Sequence, residues 1–392
     1  MLKISPVLQS IPEYPFAKVG KYSRTAEQRD GIKVINARIG IPDVEAPATI
    51  KELLARFAKE KNSTYGYPVD AHPARGIPEL IDAIINDYRK KYAVSLKPEN
   101  VVVTAWTKEA LHNLVRIFSG QGKIQIPDPV YPAYESATLL SFNRIERVRT
   151  SRASGWQPEF NFKDKETAAL YFCDPNNPTG AMTDIAFHTK LGHDLKASNI
   201  CGIFDKAYKD YVFDEYTKPV SITQVPGLMD YGYEVVSLSK HYNFVGIGLG
   251  WLVSSEENIN HYLKISSYFS QGVEWYKQRV GVEALTNPAV KQEMAEYFTE
   301  LRERRNLLVK GLNELGLKVE APRATPYLWV EVPQGYDDED FVLNQMIDRA
   351  HVAFMPGSYF GQGGKGYFRT TLYISKSQVE EVLSRIQKVR NW

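Results

Sequence analysis

The sequence SLSKHYNFVGIGLGW at residues 237–251 decides how the rest of this 392-residue chain is interpreted. It overlaps a short apolar run with β-branched residues, 233–238, which is typical of a buried strand. Lys240 therefore stands where a strand ends and a glycine-spaced turn begins. A lysine there, flanked by serines and by backbone that a ligand can approach closely, suits an amine that forms a Schiff base with a carbonyl. A solvated loop lysine is the simpler interpretation of Lys240 taken alone, so the rest of the chain must decide.

The composition is that of an ordinary globular protein, with 24% charged and 43% hydrophobic residues. The formal net charge of +2 gives no argument for nucleic acid or a membrane surface as a partner. No apolar run approaches the ~18 residues of a membrane span. Prolines and a glutamate interrupt the N-terminal stretch, which argues against a secretory signal and predicts a cytoplasmic protein.

The cysteines and histidines suggest no metal site. Cys173 and Cys201 each lie at or near an apolar strand-like run, and two cysteines argue against a disulfide framework or a cysteine-rich metal site. His188 and His193 are five residues apart, which places them on different faces of any helix. No metal is therefore predicted.

Strands and helices alternate from about residue 48 to 255, which predicts a largely parallel sheet with helices on both faces. Residues 1 to about 40 are interpreted as an extended arm ending in a strand-like run, 33–39. The part beyond about 285 has the mixed pattern of a small α+β domain. Helices are predicted at 48–61, 78–92, 107–118, 185–196, 256–286, 289–315, 338–351 and from 376, and strands at 101–103, 123–126, 168–173, 199–204, 317–320, 327–332 and 368–373.

Five polar side chains each follow a predicted strand. In parallel sheets, ligands bind beyond the carboxyl ends of the strands, so these five side chains are expected to share one site. Thr107 is also expected to cap the helix that begins there, because free N–H groups at a helix start form an anion site. The five residues are Thr107, Tyr131, Asn177, Asp205 and Lys240.

Several segments, taken in this order, resemble the class I and II pyridoxal-phosphate-dependent aminotransferases of fold type I, especially the aspartate and LL-diaminopimelate aminotransferase branch. The resemblance spans nearly the whole chain. It implies a mostly parallel, seven-stranded sheet with helices on both faces, plus a smaller α+β domain. The expected division is an N-terminal arm at 1–45 that packs with the small domain, a large cofactor-binding domain at 46–285 and a small domain at 286–392. The segments are Pro15-Phe16, Gly40-Ile41-Pro42-Asp43, Asn177-Pro178-Thr179-Gly180, Ser237-Leu238-Ser239-Lys240, Pro356-Gly357-Ser358-Tyr359-Phe360-Gly361 and Phe368-Arg369.

The resemblance implies pyridoxal 5′-phosphate as the cofactor and gives each site residue a role. Lys240 would hold the cofactor as a Schiff base and then move the proton at the substrate Cα. Asp205 would pair with the pyridine nitrogen, and Arg369 would bind the substrate α-carboxylate through its guanidinium fork. The other implied contacts are Tyr208 and Asn177 at the ring's phenolic oxygen, Tyr131 on the ring face, Thr107, the Lys108 backbone, Ser237 and Ser239 at the phosphate, and Gly40 and Asn177 at the substrate.

Tyr67, with Tyr65 as the alternative, resembles the tyrosine that reaches the phosphate in the partner subunit, which implies a homodimer. The predicted activity moves an amino group from an L-amino acid to a 2-oxo acid. An alternative is an enzyme of the same fold that eliminates or cyclises a hydroxylated arginine-like amino acid, or oxidises its substrate. A non-catalytic ligand sensor is less expected, because such proteins usually carry an appended DNA-binding domain.

One of the departures from the family pattern concerns the cofactor phosphate. The family has an arginine eight residues after the lysine, where it pairs with the cofactor phosphate, and this chain has Gly248. Losing a charge-assisted pair typically removes roughly 1.5–3 kcal/mol of binding. Weaker cofactor binding is therefore expected unless another cation replaces the arginine, and Lys108 and His241 are the nearest candidates in sequence.

Overall fold

The computed structural model describes residues 2–60, 75–213, 218–270 and 272–392. No helix in these ranges is long and apolar enough to cross a membrane. The helices are α1 (Pro6–Ser10), α2 (Pro15–Asp30), α3 (Ala48–Ala58), α4 (Pro78–Tyr92), α5 (Thr107–Arg116), α6 (Ala133–Leu140), α7 (Ile185–Ser198), α8 (Leu238–His241), α9 (Glu256–Ser266), α10 (Trp275–Thr286), α11 (Pro288–Glu314), α12 (Asp338–Asp340, continued by a π-helix, Phe341–Arg349) and α13 (Lys376–Val389).

The strands of the described residues belong to one large sheet and two small ones. They are β1 (Ile35–Asn36), β2 (Val101–Thr104), β3 (Lys123–Asp128), β4 (Arg144–Arg149), β5 (Thr167–Cys173), β6 (Cys201–Asp205), β7 (Gly232–Ser237), β8 (Gly250–Val253), β9 (Tyr327–Glu331), β10 (Val352–Ala353), β11 (Met355–Pro356) and β12 (Tyr367–Thr371).

The large sheet has seven strands in the order β2-β8-β7-β6-β5-β3-β4. Neighbouring strands are parallel except where β8 is involved, since β8 runs antiparallel to both β2 and β7. The carboxyl ends of β3, β5, β6 and β7 therefore meet at one edge of the sheet. The predicted mostly parallel α/β sheet is confirmed.

Helices cover both faces of this sheet because alternate strand residues point to opposite sides. In β5, Ala169 and Tyr171 pack in a cluster with residues of α5, α6 and α9. Leu170 and Phe172 of the same strand pack in a second cluster with residues of α7. Both faces of β5 are buried, which explains its unbroken apolar sequence.

The N-terminal segment differs from its prediction. The expected extended arm is wrong, because residues 6–10 and 15–30 form the helices α1 and α2. Pro6 and Pro15 are the first residues of these helices, where the missing N–H of proline costs nothing and its fixed φ favours the helix. Gly31 ends α2 in the left-handed conformation, with φ 67°.

Two predicted strands also need correction, and one strand was missed. The strand-like run at 33–39 contributes only the two residues of β1, which pair in parallel with β10. The run at 317–320 makes a single bridge, between Val319 and Val330, and forms no strand. The edge strand β4 was not predicted, because its sequence RIERVR is mostly charged and only its Val148 is buried.

A three-stranded antiparallel sheet carries Arg369. In this sheet β12 lies between β11 and β9, and its register places Arg369 opposite Met355 and Trp329.

The division of the chain at 45 and 285 stays a prediction. The second of these boundaries falls at the end of α10.

A buried ion pair joins the ends of β5 and β6. Lys206 is 1% exposed, and its Nζ lies 2.6 Å from Asp174 Oδ2. His188 Nε2 lies 3.1 Å from the same oxygen. Burial disfavours the charged carboxylate, but Lys206 and His188 hold the pKa of Asp174 well below its usual range. The pair fixes the start of the loop that carries Asn177.

Replacing Lys206 by methionine leaves the Asp174 carboxylate buried without its cation. We expect Lys206→Met to lower the free energy of unfolding by ~3–5 kcal/mol, measured by urea denaturation at pH 7. Because Lys206 lowers the folded-state pKa of Asp174, this contribution is present above about pH 4 and is lost as the pH falls. The control is Lys190→Met, which removes an exposed pair with Asp194 and should cost less than ~1 kcal/mol. Equal losses in the two variants would contradict the prediction.

Candidate active site

One cavity gathers the predicted site residues at the carboxyl ends of the parallel strands. It has a volume of about 410 Å³. Tyr67 and Tyr65 fall outside the described residues. The predicted residues that line the cavity are Gly40, Thr107, Lys108, Tyr131, Asn177, Asp205, Tyr208, Ser237, Ser239, Lys240 and Arg369.

Lys240 extends from the single helical turn that follows β7. The Ser237 side chain accepts a hydrogen bond of 3.0 Å from the Ser239 N–H and so caps α8. From α8, Lys240 Nζ donates a hydrogen bond to the Gly40 carbonyl. A Cβ atom at position 40 would lie 1.9 Å from the Tyr327 hydroxyl oxygen. Glycine is therefore required at Gly40 for this close approach.

The surroundings of Lys240 favour its neutral amine. Burial, together with the positive charges of Arg369 and Lys108, lowers the pKa of Lys240 to about 8, although Asp205 opposes the shift. At pH 7 the neutral amine is then roughly 300-fold more abundant than it would be at a pKa of 10.5. Only the neutral amine is a nucleophile, so this environment prepares Lys240 for attack on a carbonyl.

Asp205 ends β6 on the cavity wall and is 5% exposed. Its Oδ2 accepts a hydrogen bond of 2.7 Å from the Tyr134 hydroxyl, and its Oδ1 accepts one of 3.0 Å from the Ala207 N–H. Burial raises the pKa of Asp205, while these hydrogen bonds and the charges of Lys206 and Lys240 oppose the rise. The carboxylate is thus fixed in orientation and suited to a cationic ligand atom.

Arg369 is a buried cation, only 1% exposed. Its Nη1 donates a hydrogen bond of 2.7 Å to Asn177 Oδ1, and its Nη2 donates one of 2.8 Å to the Arg38 carbonyl. The guanidinium carbon lies 4.0 Å from the centre of the Tyr327 ring and 4.7 Å from that of Phe360. Within the described residues its Nε has no hydrogen-bond partner, and the ionisable groups that act on it most strongly are tyrosines rather than carboxylates. The site therefore holds a positive charge that an anionic ligand can neutralise.

Two tyrosines at the cavity offer neutral aromatic faces. Burial raises the pKa of Tyr131 to about 12, and it does the same for Tyr14. The Lys108 ammonium lies 5.3 Å from the Tyr14 ring centre and 5.9 Å from that of Tyr131. A planar ligand could stack on such a ring.

Tyr134 and Tyr327 support the site, and the sequence did not identify them. Tyr134 stacks on Tyr171 with ring centroids 4.5 Å apart, which fixes the direction of its hydroxyl. The Tyr327 hydroxyl lies 2.8 Å from that of Tyr208. Tyr134 follows Tyr131 by three residues, and this helical spacing could have suggested a shared direction. Tyr327 carries no sequence signal, because only the packing of the small sheet brings it to the cavity.

The start of α5 provides N–H groups for an anion, but the predicted cap is wrong. Trp106, with extended backbone angles, occupies the N-cap position, and Thr107 is the first helical residue. The N–H groups of Thr107 and Lys108 have no acceptor among the described residues. Ser239 is 8% exposed, and its Oγ likewise has no partner in this part of the chain. A bound phosphate would satisfy these donors, so the residues fit the phosphate end of pyridoxal 5′-phosphate.

The structure distinguishes the two side chains that could replace an arginine at Gly248. The two proposed substitutes for an arginine there differ, because Lys108 lines the cavity and His241 does not. The centre of the His241 ring lies 4.6 Å from that of Tyr242, and burial lowers the pKa of His241, which favours its neutral form. Of these two side chains, only Lys108 brings a charge to the cavity.

No group of three or more metal-binding side chains occurs within the described ranges. Cys173 and Cys201 lie on the neighbouring strands β5 and β6, and both are free thiols.

Comparison with known sequences identifies the family. Residues 32–386 match the family model described as aminotransferase class I and II. An LL-diaminopimelate aminotransferase from Moorella thermoacetica is 32% identical over 389 residues, which is 97% of each chain. An LL-diaminopimelate aminotransferase 2 from Nostoc sp. is also 32% identical, over 387 residues and 97% of each chain.

Comparison with solved structures agrees with the family identified from the sequences. The substrate-bound structure of BacF from Bacillus subtilis has a TM-score of 0.91 and 28% identity, covering 100% of this chain and 99% of that one. Aspartate aminotransferase from Thermus thermophilus with maleate has a TM-score of 0.88 and 25% identity, covering 99% and 100%. These comparisons give no support to elimination, cyclisation or oxidation as the main reaction. The chain belongs to the class I and II aminotransferase family and is a pyridoxal-phosphate-dependent aminotransferase.

Proposed function

We propose that Lys240 is the catalytic lysine of this aminotransferase and that Asp205, Asn177 and Arg369 act with it. The observation that carries the proposal is the presence, in one cavity, of an amine with a lowered pKa, a buried carboxylate and a buried guanidinium. Pyridoxal 5′-phosphate, when bound, supplies an aldehyde that reacts with amines and a ring that stabilises negative charge at the substrate Cα. Lys240 would bond to the aldehyde with loss of water, would be released when the substrate amine takes its place, and would then, as a free amine, carry the proton removed from Cα.

Asp205, Tyr208 and Asn177 would orient the cofactor ring. The Asp205 carboxylate would pair with a protonated ring nitrogen, and that charge would offset the burial that raises its pKa. Asn177 turns its carbonyl oxygen toward the Arg369 guanidinium, which can only donate, and so leaves its amide N–H groups for the ring's phenolic oxygen. Tyr131 would stack on the ring face.

Arg369 would bind the substrate α-carboxylate. A guanidinium matches a carboxylate with two parallel hydrogen bonds, and burial strengthens a charge-assisted pair. Arg369 would hold the substrate with its Cα within reach of Lys240, with Gly40 and Asn177 beside it. At the other end, the backbone N–H groups of Thr107 and Lys108 and the hydroxyls of Ser237 and Ser239 would bind the phosphate.

The assembly that we propose is a homodimer, in which Tyr67 of each chain would reach the partner's phosphate. The support is the resemblance of the segment around Tyr67 to the family. Sedimentation equilibrium, which measures the molar mass in solution, should give twice the mass of the chain. The mass of a single chain would contradict this part of the proposal. The cytoplasmic location stays a prediction.

We infer that the amino donor has an apolar or aromatic side chain. Beyond the residues with proposed roles, the described wall near Gly40 and Arg369 is made of aromatic and aliphatic side chains. Such a wall binds apolar surface with a gain of about 25 cal/mol per Å² buried. Apart from Lys240 and Arg369, the described wall contains only one cationic side chain, Lys108, that could pair with a negative charge at the far end of a substrate side chain. The apolar and aromatic residues there are Tyr14, Phe16, Ile39, Ile41 and Tyr327.

Removing the amine of Lys240 should abolish covalent attachment of the cofactor. We expect borohydride to fix the cofactor to the peptide that contains Lys240 in the wild type and to fix none in Lys240→Ala, measured by mass spectrometry. The matched control is Lys277→Ala, because Lys277 lies near the cavity but not on its described wall. Cofactor fixed to another lysine in the wild type would contradict the assignment.

The pH dependence of the same attachment tests the lowered pKa of Lys240. The rate constant for cofactor uptake by the apoprotein should rise about tenfold per pH unit up to about pH 8 and then level off, because the neutral amine reacts. Stopped-flow absorbance measures the rate. Nα-acetyl-lysine under the same conditions corrects for titration of the cofactor. A rate that keeps rising to pH 10 would contradict the prediction.

A panel of amino donors tests the side-chain class. We expect phenylalanine and leucine to give kcat/KM values at least about tenfold above those of aspartate and LL-diaminopimelate, with 2-oxoglutarate as acceptor, because the described wall is mostly apolar. LL-diaminopimelate is included because the sequence relatives are named for it. A preference for LL-diaminopimelate would refute the apolar donor but would leave the role of Lys240 intact.

A further inference from the structure

Trp106 and Gly248 fit together as a large and a small residue. Gly248 has a φ of 68°, in the left-handed region that favours glycine. A Cβ atom at this position would lie 2.2 Å from Trp106 Cε2, 2.4 Å from Cζ2 and 2.6 Å from Nε1. The indole therefore occupies the space into which any side chain at position 248 would have to grow.

The Trp106 indole carries a hydrogen-bond donor without a partner. The side chain lines the cavity, is 44% exposed, and its Nε1–H donates to no acceptor among the described residues. Lys277 Nζ lies 5.9 Å from the ring centre, but it forms an ion pair of 2.9 Å with Glu274 and does not line the described wall. The indole N–H is therefore available to a ligand.

A second observation points to an anion at this place. Ser239, 8% exposed and on the same cavity wall, has an Oγ without a partner in the described chain. The N–H groups of Thr107 and Lys108, which follow Trp106 directly, also lack acceptors there. The residues that carry these unsatisfied donors line one cavity, and a phosphate has enough oxygen atoms to accept from several of them.

We propose that the Trp106 indole N–H is a phosphate-binding donor of this site and stands where an arginine at position 248 would otherwise be needed. The ligand is a phosphomonoester dianion, held here mainly by uncharged donors. This inference rests on the proposed function, because the phosphate is that of the cofactor. Gly248 is then the residue that makes room for the donor, and its lack of a side chain is part of the binding site.

The test separates the phosphate from the rest of the cofactor. Dissociation constants of apoprotein for pyridoxal 5′-phosphate and for pyridoxal, which lacks the phosphate, are measured by equilibrium dialysis. Trp106→Phe keeps the ring against Gly248 and removes the N–H. We expect the constant for pyridoxal 5′-phosphate to rise about 10- to 100-fold, the usual effect of losing a hydrogen bond to a charged group, and that for pyridoxal to change less than about twofold. Trp275→Phe, on α10 and away from the described cavity wall, is the matched control and should change neither constant.

A double-mutant cycle tests the fit of the two residues. Gly248→Ala should displace the indole and weaken binding of pyridoxal 5′-phosphate, and it should have a smaller effect in a Trp106→Ala background. Equal effects of Trp106→Phe on both ligands, or no effect on either, would overturn the inference.

A readout without the cofactor keeps the two proposals distinguishable. Line broadening of the ³¹P resonance of inorganic phosphate should be weaker in Trp106→Phe than in the wild type. A wild type that binds phosphate in this way but takes up no pyridoxal 5′-phosphate would refute the proposed role of Lys240 and leave Trp106 as a phosphate donor. Line broadening that is the same in both proteins would overturn the role of Trp106.

Discussion

The cavity depends on the hydrogen bonds that the buried guanidinium of Arg369 makes to other parts of the chain. Its hydrogen bonds reach Asn177, in the loop after β5, and the Arg38 carbonyl, in the N-terminal segment, while its own strand belongs to the small sheet. Three separate parts of the chain are thereby held at one point. Burying a cation without a carboxylate partner is costly, so the folded protein keeps a strong electrostatic preference for an anion at this position.

The same charge also affects the reacting amine. Arg369 is the largest electrostatic contribution that lowers the pKa of Lys240, after burial, and Asp205 opposes it. A substrate carboxylate bound to Arg369 would neutralise part of that effect and so would make Lys240 a stronger base when the substrate is present. The part of the cavity lined by Thr107, Lys108, Ser237 and Ser239 differs, because its described donors are mainly uncharged N–H and O–H groups. With the roles proposed above, a buried cation would bind the substrate carboxylate, and mainly uncharged donors would bind the phosphate.

Much of the large sheet could be predicted, because its central strands are short apolar runs separated by amphipathic helices. The exceptions have physical reasons. Pro6 and Pro15 interrupt the N-terminal sequence but begin helices, since the first turn of a helix needs no N–H from them. The strand β4 lies at an edge and is mostly charged, so it lacks the apolar signal of a buried strand. Thr107 resembled an N-cap residue, but Trp106 occupies the N-cap position and Thr107 is already the first residue of the helix.

The sequence by itself determined that Asn177, Asp205 and Lys240 gather at one cavity, because parallel strands place their carboxyl ends at one edge and each of these residues ends or follows such a strand. Only the tertiary structure decided what those residues meet. Tyr134 reaches Asp205 through its stacking on Tyr171, and Trp106 covers Gly248 because two loops distant in the chain pack together. Spacing along a strand or helix records local geometry, whereas contacts between distant segments depend on the shape of the packed core, which no local pattern contains.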